Sequence, residues 1–538
     1  MSFALDQLIL LPVLLPLILA AGLVMFPGNQ QLKFVLNLVG TLALLILAAV
    51  LYVLTDQQAW PNGVGVYLAA NWAAPFGITL VVDRLAAVML LLTAVIATAA
   101  LVFSLRRWNR AGVHFHSLFQ FLLVGINGSF LTGDLFNLFV FFEIMLAASY
   151  GLLLLGLQAR RVRASMQYVV INLVASSFFL IGIALIYAAS GTLNMADLAM
   201  RAAALDDGQR LLLETGAAVL AIAFLAKSAI WPLGFWLPTT YAAAAPPVAA
   251  MLVLMTKVGI YIILRLWLLV FAAQPEIWTA LSGMPLIIGG LLTIAFGTFG
   301  LLGSQEPGRM AGFCAIISSG TLLAVVGYGG QQVIGAALLY LVSSTLAVAT
   351  LMLLLELVAR IRNPGAEMLA LTMEAFDIDE TEDDSAGVAI PAAIAFLGLS
   401  FMACALIIAG LPPLSGFVAK FAIFHAMLNP AGAPSFEPVA LVIMAIIIIS
   451  GMAAIISLMR FGVRVFWSNP EAQAPHLHPS EALPTSGLLL CCIILSIAAG
   501  PASDYLERAS AALHQPQHYI ERVLTTEPVA TSVTEVTP

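Results

Sequence analysis

What most limits how this chain can fold is the recurrence, along almost its whole length, of apolar runs of about 18 or more residues. A bilayer's hydrocarbon core is about 30 Å thick, and roughly 20 helical residues cross it. Within it every backbone N–H and C=O must be satisfied inside the segment, so such runs become helices. Composition agrees, at 62% hydrophobic and 9% charged residues against about 25% charged in soluble domains. The expected fold class is an all-α polytopic membrane protein, and a string of soluble domains is excluded.

Spans are expected near 8–26, 34–54, 80–104, 114–132, 135–157, 165–189, 211–242, 244–271, 281–302, 309–327, 333–358, 388–428, 438–462 and 485–500, fourteen in all. The first follows Asp6 rather than a basic region and has no evident cleavage site, so it reads as a retained helix. Two spans are unusually long and contain prolines, in "SAIWPLGFWLP" and "AGLPPLSGF". Proline removes an amide donor and clashes with the preceding turn, so both should be broken helices.

Basic residues collect on the cytoplasmic side of membranes. Placing the first loop inside puts Lys33, Arg106, Arg107, Arg110, Arg160, Arg161, Arg163, Arg309, Arg360, Arg362, Arg460 and Arg464 there. Only Arg201, Arg210, Arg508 and Arg522 remain outside. Both termini should therefore face outward. The linker 363–387 holds eight acids and no Lys or Arg. It reads as a solvated cytoplasmic loop, with a docking surface for a partner subunit as the alternative. The tail beyond 501 reads as an external appendage without an assigned role. Cys314, Cys404, Cys491 and Cys492 lack metal or cluster spacing and read as packing residues, so no cofactor or metal is expected. The net charge of −7 names no partner.

Charge inside the spans is the informative exception. Of four lysines, Lys227, Lys257 and Lys420 fall within spans, and Glu143 interrupts "LFVFFEIMLAASYGLLLLGL". Each mid-membrane charge costs roughly 2.5–3.5 kcal/mol, so unpaired the four would cost about 10 kcal/mol. A helix rises 1.5 Å per residue, which puts Glu143 about 12 Å and Lys257 about 17 Å to 20 Å along their spans, too deep to snorkel. Lys227 and Lys420 adjoin the proline breaks, where freed carbonyls accompany interrupted helices. A buried Glu–Lys pair is a two-state device, because separating the partners tends to release the lysine's proton. Glu143 is accordingly expected to hold and switch Lys227. The plainer alternative is an ion pair that locks two helices together.

Weaker candidates follow. His425 lies five residues after Lys420 and could pass protons onward, and His114 and His116 could mark a cytoplasmic point of access. Asp83 and Arg84 read as an interfacial pair, Asp134 as a helix N-cap, and Glu356 with Arg360 as an i,i+4 pair. Arg265 reads as an anchor for the external end of its helix.

The strings "GDLFNLFVFFEIMLAASYGLL", "FLAKSAIWPLGFWLPTTYAAAAPPVAAMLVLMTKVGIYIILRLW" and "GLPPLSGFVAKF" resemble the proton-translocating antiporter-like subunits shared by respiratory complex I and Mrp-type cation/proton antiporters. The first is most similar to the D-type subunits of the Mrp (Pha, Mnh) Na⁺(K⁺)/H⁺ antiporters. The resemblance implies fourteen helices with two five-helix inverted repeats. Helices 1–3 would occupy 1–110, the first repeat 111–272, the second 273–465, and the last helix with its tail 466–538. It implies Glu143 and Lys227 as a coupling pair, Lys257 as a connecting lysine and Lys420 as the terminal lysine. It further implies a hetero-oligomer with a larger antiporter-like subunit and small membrane subunits, handling H⁺ and Na⁺ or K⁺. The expected function is a transporter subunit in the cell inner membrane rather than an enzyme. The alternative is a proton-pumping subunit of complex I or a membrane-bound hydrogenase. Two departures stand out. Leu233 and Gly234 follow the seventh-helix proline where relatives often have histidine. Ser343 and Ser344 stand where many have His and Lys, and can carry a hydrogen-bond wire without titrating.

Overall fold

Fourteen apolar helical segments follow one another in the computed structural model, which describes residues 2–25, 29–107, 112, 114–155, 159–271, 283–361, 392–430, 437–467 and 477–529. The first half comprises α1 (Ser2–Gln7), α2 (Leu11–Met25), α3 (Gln30–Asp56), α4 (Arg84–Ser104), α5 (Phe115–Leu131), α6 (Leu135–Leu153), α7 (Ala159–Ser190), α8 (Met195–Ala202), α9 (Asp207–Lys227), α10 (Leu237–Ala243) and α11 (Pro246–Leu266). The second half comprises α12 (Gly283–Gly303), α13 (Pro307–Tyr328), α14 (Gln331–Val358), α15 (Ala392–Ala409), α16 (Ser415–Leu428), α17 (Pro438–Phe466) and α18 (Pro479–Ile497). The tail adds α19 (Ala499–Leu513) and α20 (Pro516–Thr525). Twelve described helices are long and apolar enough to span. The shorter α2 and α5 bring the count to fourteen, while α16 completes the span that α15 begins.

The seventh segment is α9 and α10 separated by Ser228–Trp236, and the twelfth is α15 and α16 separated by Gly410–Leu414. Both breaks fall at the expected prolines. They lie five segments apart, and an odd step inverts the repeated unit.

Ion pairs tie matching ends of distant segments together. At one end Arg107 meets Glu356 at 2.6 Å, and Arg360 meets Glu481 at 2.9 Å. At the other Arg265 meets Asp83 at 2.6 Å, and Arg508 meets Asp56 at 2.7 Å. A missed or added span would scramble this grouping.

Several expectations need correcting. The span expected from residue 80 begins as a strand: Gly65–Leu68 (β1) pairs antiparallel with Thr79–Val82 (β2) before α4 starts at Arg84, a small sheet that the all-α expectation does not include. Asp83 does not pair with Arg84. It caps α4 through the Ala86 N–H and pairs with Arg265, while Arg84 reaches Asp56. Burial would raise the Asp83 carboxyl, but the Arg265 charge and its hydrogen bonds hold it below the usual range. Arg360 makes the expected i,i+4 pair with Glu356 at 3.6 Å and in addition meets Glu481 at 2.9 Å. The tail is no loose appendage either, since Tyr505 and Tyr519 of α19 and α20 are buried against the bundle. There the Tyr505 hydroxyl lies 3.1 Å from the Thr55 hydroxyl. Arg265 anchors its helix end and Asp134 caps α6, as expected. The four cysteines are free thiols, three of them buried. The acidic linker lies outside the described residues.

Candidate functional site

The three mid-span lysines are buried, with relative exposures of 4% for Lys227, 0% for Lys257 and 8% for Lys420. Each meets a different environment, set by how its helix ends.

Lys227 is the last residue of α9, where the helix stops before the Ser228–Trp236 break. Its amine lies 4.9 Å from the centre of the Phe142 ring and donates to the Ser176 hydroxyl at 3.4 Å. Ser176 in turn donates to Glu143 Oε1. Glu143 and Lys227 are therefore brought together, but the expected direct ion pair is replaced by a serine bridge. Ser176 lies on α7 in the string "LVASSFF", and no local signal marks it among ordinary membrane serines. The break is held from α12: the Trp231 N–H donates to Thr293 Oγ1 at 3.0 Å, satisfying a donor that the unwound chain exposes.

Lys257 sits mid-helix on α11, with no acid against it among the described residues. Its amine donates to Ser318 Oγ at 2.7 Å, and Ser318 donates to Ser344 Oγ at 2.8 Å. The adjacent Ser343 faces elsewhere and donates to Ser415 Oγ at 2.9 Å, at the start of α16. Ser344 thus joins the line from Lys257, whereas Ser343 joins the second break. Nothing in the sequence marks Ser318 or Ser415, because hydroxyls are common on membrane helices.

Lys420 lies on α16, and its amine turns back to the broken end of α15. It donates to the carbonyls of Ala409 at 2.9 Å and Ile408 at 3.2 Å. A helix leaves its last carbonyls without partners and carries partial negative charge there, so a cation is well placed. Gly410 makes this approach possible. Its φ is +80°, and a Cβ there would stand 2.6 Å from Lys420 Cδ.

A cavity of about 20 Å³ is walled by Ser318, Ser343, Ser344, Tyr340, Lys420 and Ser450. This exceeds the ~10–15 Å³ a water needs. It spans the gap between Ser344 and Lys420. A smaller cavity of about 10 Å³ touches Lys227, Tyr168, Asn172, Trp236 and Met255. No hydrogen-bonded side chain joins Lys227 to Lys257 among the described residues.

The histidines are elsewhere. His425 is exposed, stacked on Phe421 at 6.2 Å and beside Asn429, away from the Lys420 cavity. His114 is exposed just before α5, while His116 is fully buried with its Nδ1 2.9 Å from Asn37 Nδ2.

Two broken helices five segments apart, each with a buried lysine beside the break, define an antiporter-like membrane protein. The chain belongs to the family described as NADH:quinone oxidoreductase/Mrp antiporter, whose pattern matches residues 132–434. It is 51% identical over 97% of its length to the D-type subunit of a probable K⁺/H⁺ antiporter from Rhizobium meliloti, covering 98% of that protein. It is 34% identical over 96% of its length to the D-type subunit of a Na⁺/H⁺ antiporter from Alkalihalophilus pseudofirmus, covering 99% of it. Among solved structures, a chain of the Mrp complex from Dietzia superposes with a TM-score of 0.80 at 25% identity. That match covers 97% of this chain and 99% of the other.

Proposed function

We propose that this chain is a membrane component of a multisubunit monovalent cation/proton antiporter that carries H⁺ along the buried line of lysines and serines. Identity of 51% over nearly the whole chain to a component of a probable K⁺/H⁺ antiporter carries the assignment to the antiporters rather than to complex I. The partners are then the other membrane subunits of such a complex, with H⁺ and Na⁺ or K⁺ as the transported ions. The basic residues favour an orientation with both termini outside, in the cell inner membrane. The boundaries 111–272 and 273–465 follow as the two repeats.

The chemistry follows from the hydrogen bonds. A serine hydroxyl accepts one proton while giving up another, so Lys227, Ser176 and Glu143 form a relay in which a proton leaves the amine as the bridge hands one to the carboxylate. Ser318 and Ser344 extend the same exchange from Lys257 toward the cavity beside Lys420. One water in that cavity would bridge Ser344 and Lys420 and complete the second half. Burial makes an unpaired charged amine costly, so neutralising Glu143 favours release of the Lys227 proton.

The test is cation-dependent ΔpH in membrane vesicles with Glu143→Ala or Lys227→Ala. Loss of exchange in a normally assembled complex is expected. Normal exchange would leave the chain a scaffold.

A further inference from the structure

The external end of the bundle holds a cavity that the proton line does not use. Its volume is about 40 Å³, and its walls include Asn62, Asp83, Arg84, Arg265, His518 and Tyr519. Two arginines line it, and they are satisfied very differently. Arg265 makes two hydrogen bonds to Asp83, at 2.6 and 2.8 Å, and a third to the Tyr261 hydroxyl at 2.8 Å. Arg84, 7% exposed, keeps its Nε buried without a hydrogen-bond partner. Its one ion pair among the described residues is with Asp56 Oδ1, 3.8 Å away. Arg508 takes that same oxygen at 2.7 Å, so the nearer cation claims it.

In these ion pairs three arginines (Arg84, Arg265, Arg508) share two aspartates (Asp56, Asp83), and Arg84 has the longest of the contacts. A buried guanidinium N–H without a hydrogen-bond acceptor is disfavoured. Water in the cavity would supply an acceptor but no charge, whereas a small anion supplies both. Asp83 offers little repulsion, because both its oxygens already accept from Arg265.

We infer that this cavity binds a small monovalent anion of the chloride class, held by Arg84 and roofed by the C-terminal tail. Tail residues Ala512, Leu513, Pro516, His518 and Tyr519 form one side of it. A bound anion therefore ties the tail to the bundle, which gives these helices a role beyond packing.

Binding of radioactive chloride to the purified, detergent-solubilised complex tests this without any transport step, so its failure is separate from a failure of the proton line. Thermal unfolding in chloride against gluconate, at equal Na⁺ and ionic strength, gives a second reading. Wild type should bind chloride saturably and melt about 2 °C or more higher in chloride. Arg84→Gln should lose at least tenfold in apparent affinity, and Arg84→Lys less. Absence of saturable binding to wild type would overturn the inference, as would an assembled Arg84→Gln complex that binds equally tightly. If Arg84→Gln does not assemble, Tyr519→Ala, which opens the tail side of the cavity, replaces it. Unchanged chloride binding in that variant overturns the inference as well.

Discussion

Replacing Ser176 with alanine removes one hydroxyl and with it the whole hydrogen-bonded connection between Lys227 and Glu143. Ser176 is 6% exposed, so bulk water does not stand in for it. A hydrogen bond to a charged group contributes about 1.5–3 kcal/mol. The Lys227 bond, at 3.4 Å, is long, so the bond to Glu143 dominates. If proton transfer runs through this bridge, its barrier rises by about the same amount. At 1.36 kcal/mol per tenfold, exchange should slow by roughly 10- to 150-fold. Ser176→Thr keeps a hydroxyl and should recover most of the rate, which separates the bridge from general packing. The assay is cation-dependent ΔpH in vesicles, with complex assembly checked in parallel. An assembled Ser176→Ala complex exchanging within about twofold of wild type would refute the bridge.

Other perturbations probe the rest of the line. Gly410→Ala forces a side chain into a backbone at φ +80° and against the Lys420 side chain. It should lower exchange at least tenfold in assembled complexes, by about 1–2 kcal/mol of backbone strain plus displacement of the amine. Ser318→Ala takes away the only hydrogen-bond acceptor of Lys257 among the described residues and should slow exchange more than Ser343→Ala, whose hydroxyl reaches Ser415. Comparable rates in the two variants would contradict the different directions of the paired serines. Asp83 binds its proton less tightly folded than unfolded. Its stabilisation is therefore full above the unfolded value of about 3.9 and is lost as pH falls through the lower folded value. Melting of Asp83→Asn should be weaker at pH 7 and should lack the wild-type decline below about pH 4 that this carboxylate contributes.

Much of this architecture is legible in the sequence because lipid imposes simple rules. Fourteen spans, two proline breaks and three out-of-place lysines follow from the cost of exposed backbone and charge in hydrocarbon. Lys420 against the carbonyls of a broken helix is an example, since a proline break foretells free carbonyls and a nearby amine uses them. Ser176, Ser318 and Ser415 are not legible in this way. A hydroxyl is cheap to bury, can satisfy itself on its own helix, and so leaves no trace of its neighbours in the sequence. The Asp83–Arg265 pair escaped for a related reason: residue 84 is next in the chain, but α11 passes nearer in space. The tail's buried tyrosines were hidden because α19 and α20 are too polar to resemble spans and too short to announce a packing face.

The line of lysines and serines stands or falls on its middle. Lys257 has no acid against it among the described residues and one hydrogen-bond acceptor, Ser318, and the proposed line gives it the task of holding a mobile proton. Cation-driven ΔpH should be measured in proteoliposomes with fully assembled complex carrying Lys257→Met, a residue of similar length without a charge. Exchange at roughly 1% of wild type or below is predicted, since a barrier two decades higher corresponds to about 2.7 kcal/mol. Exchange at the wild-type rate would mean that protons cross the membrane by another path.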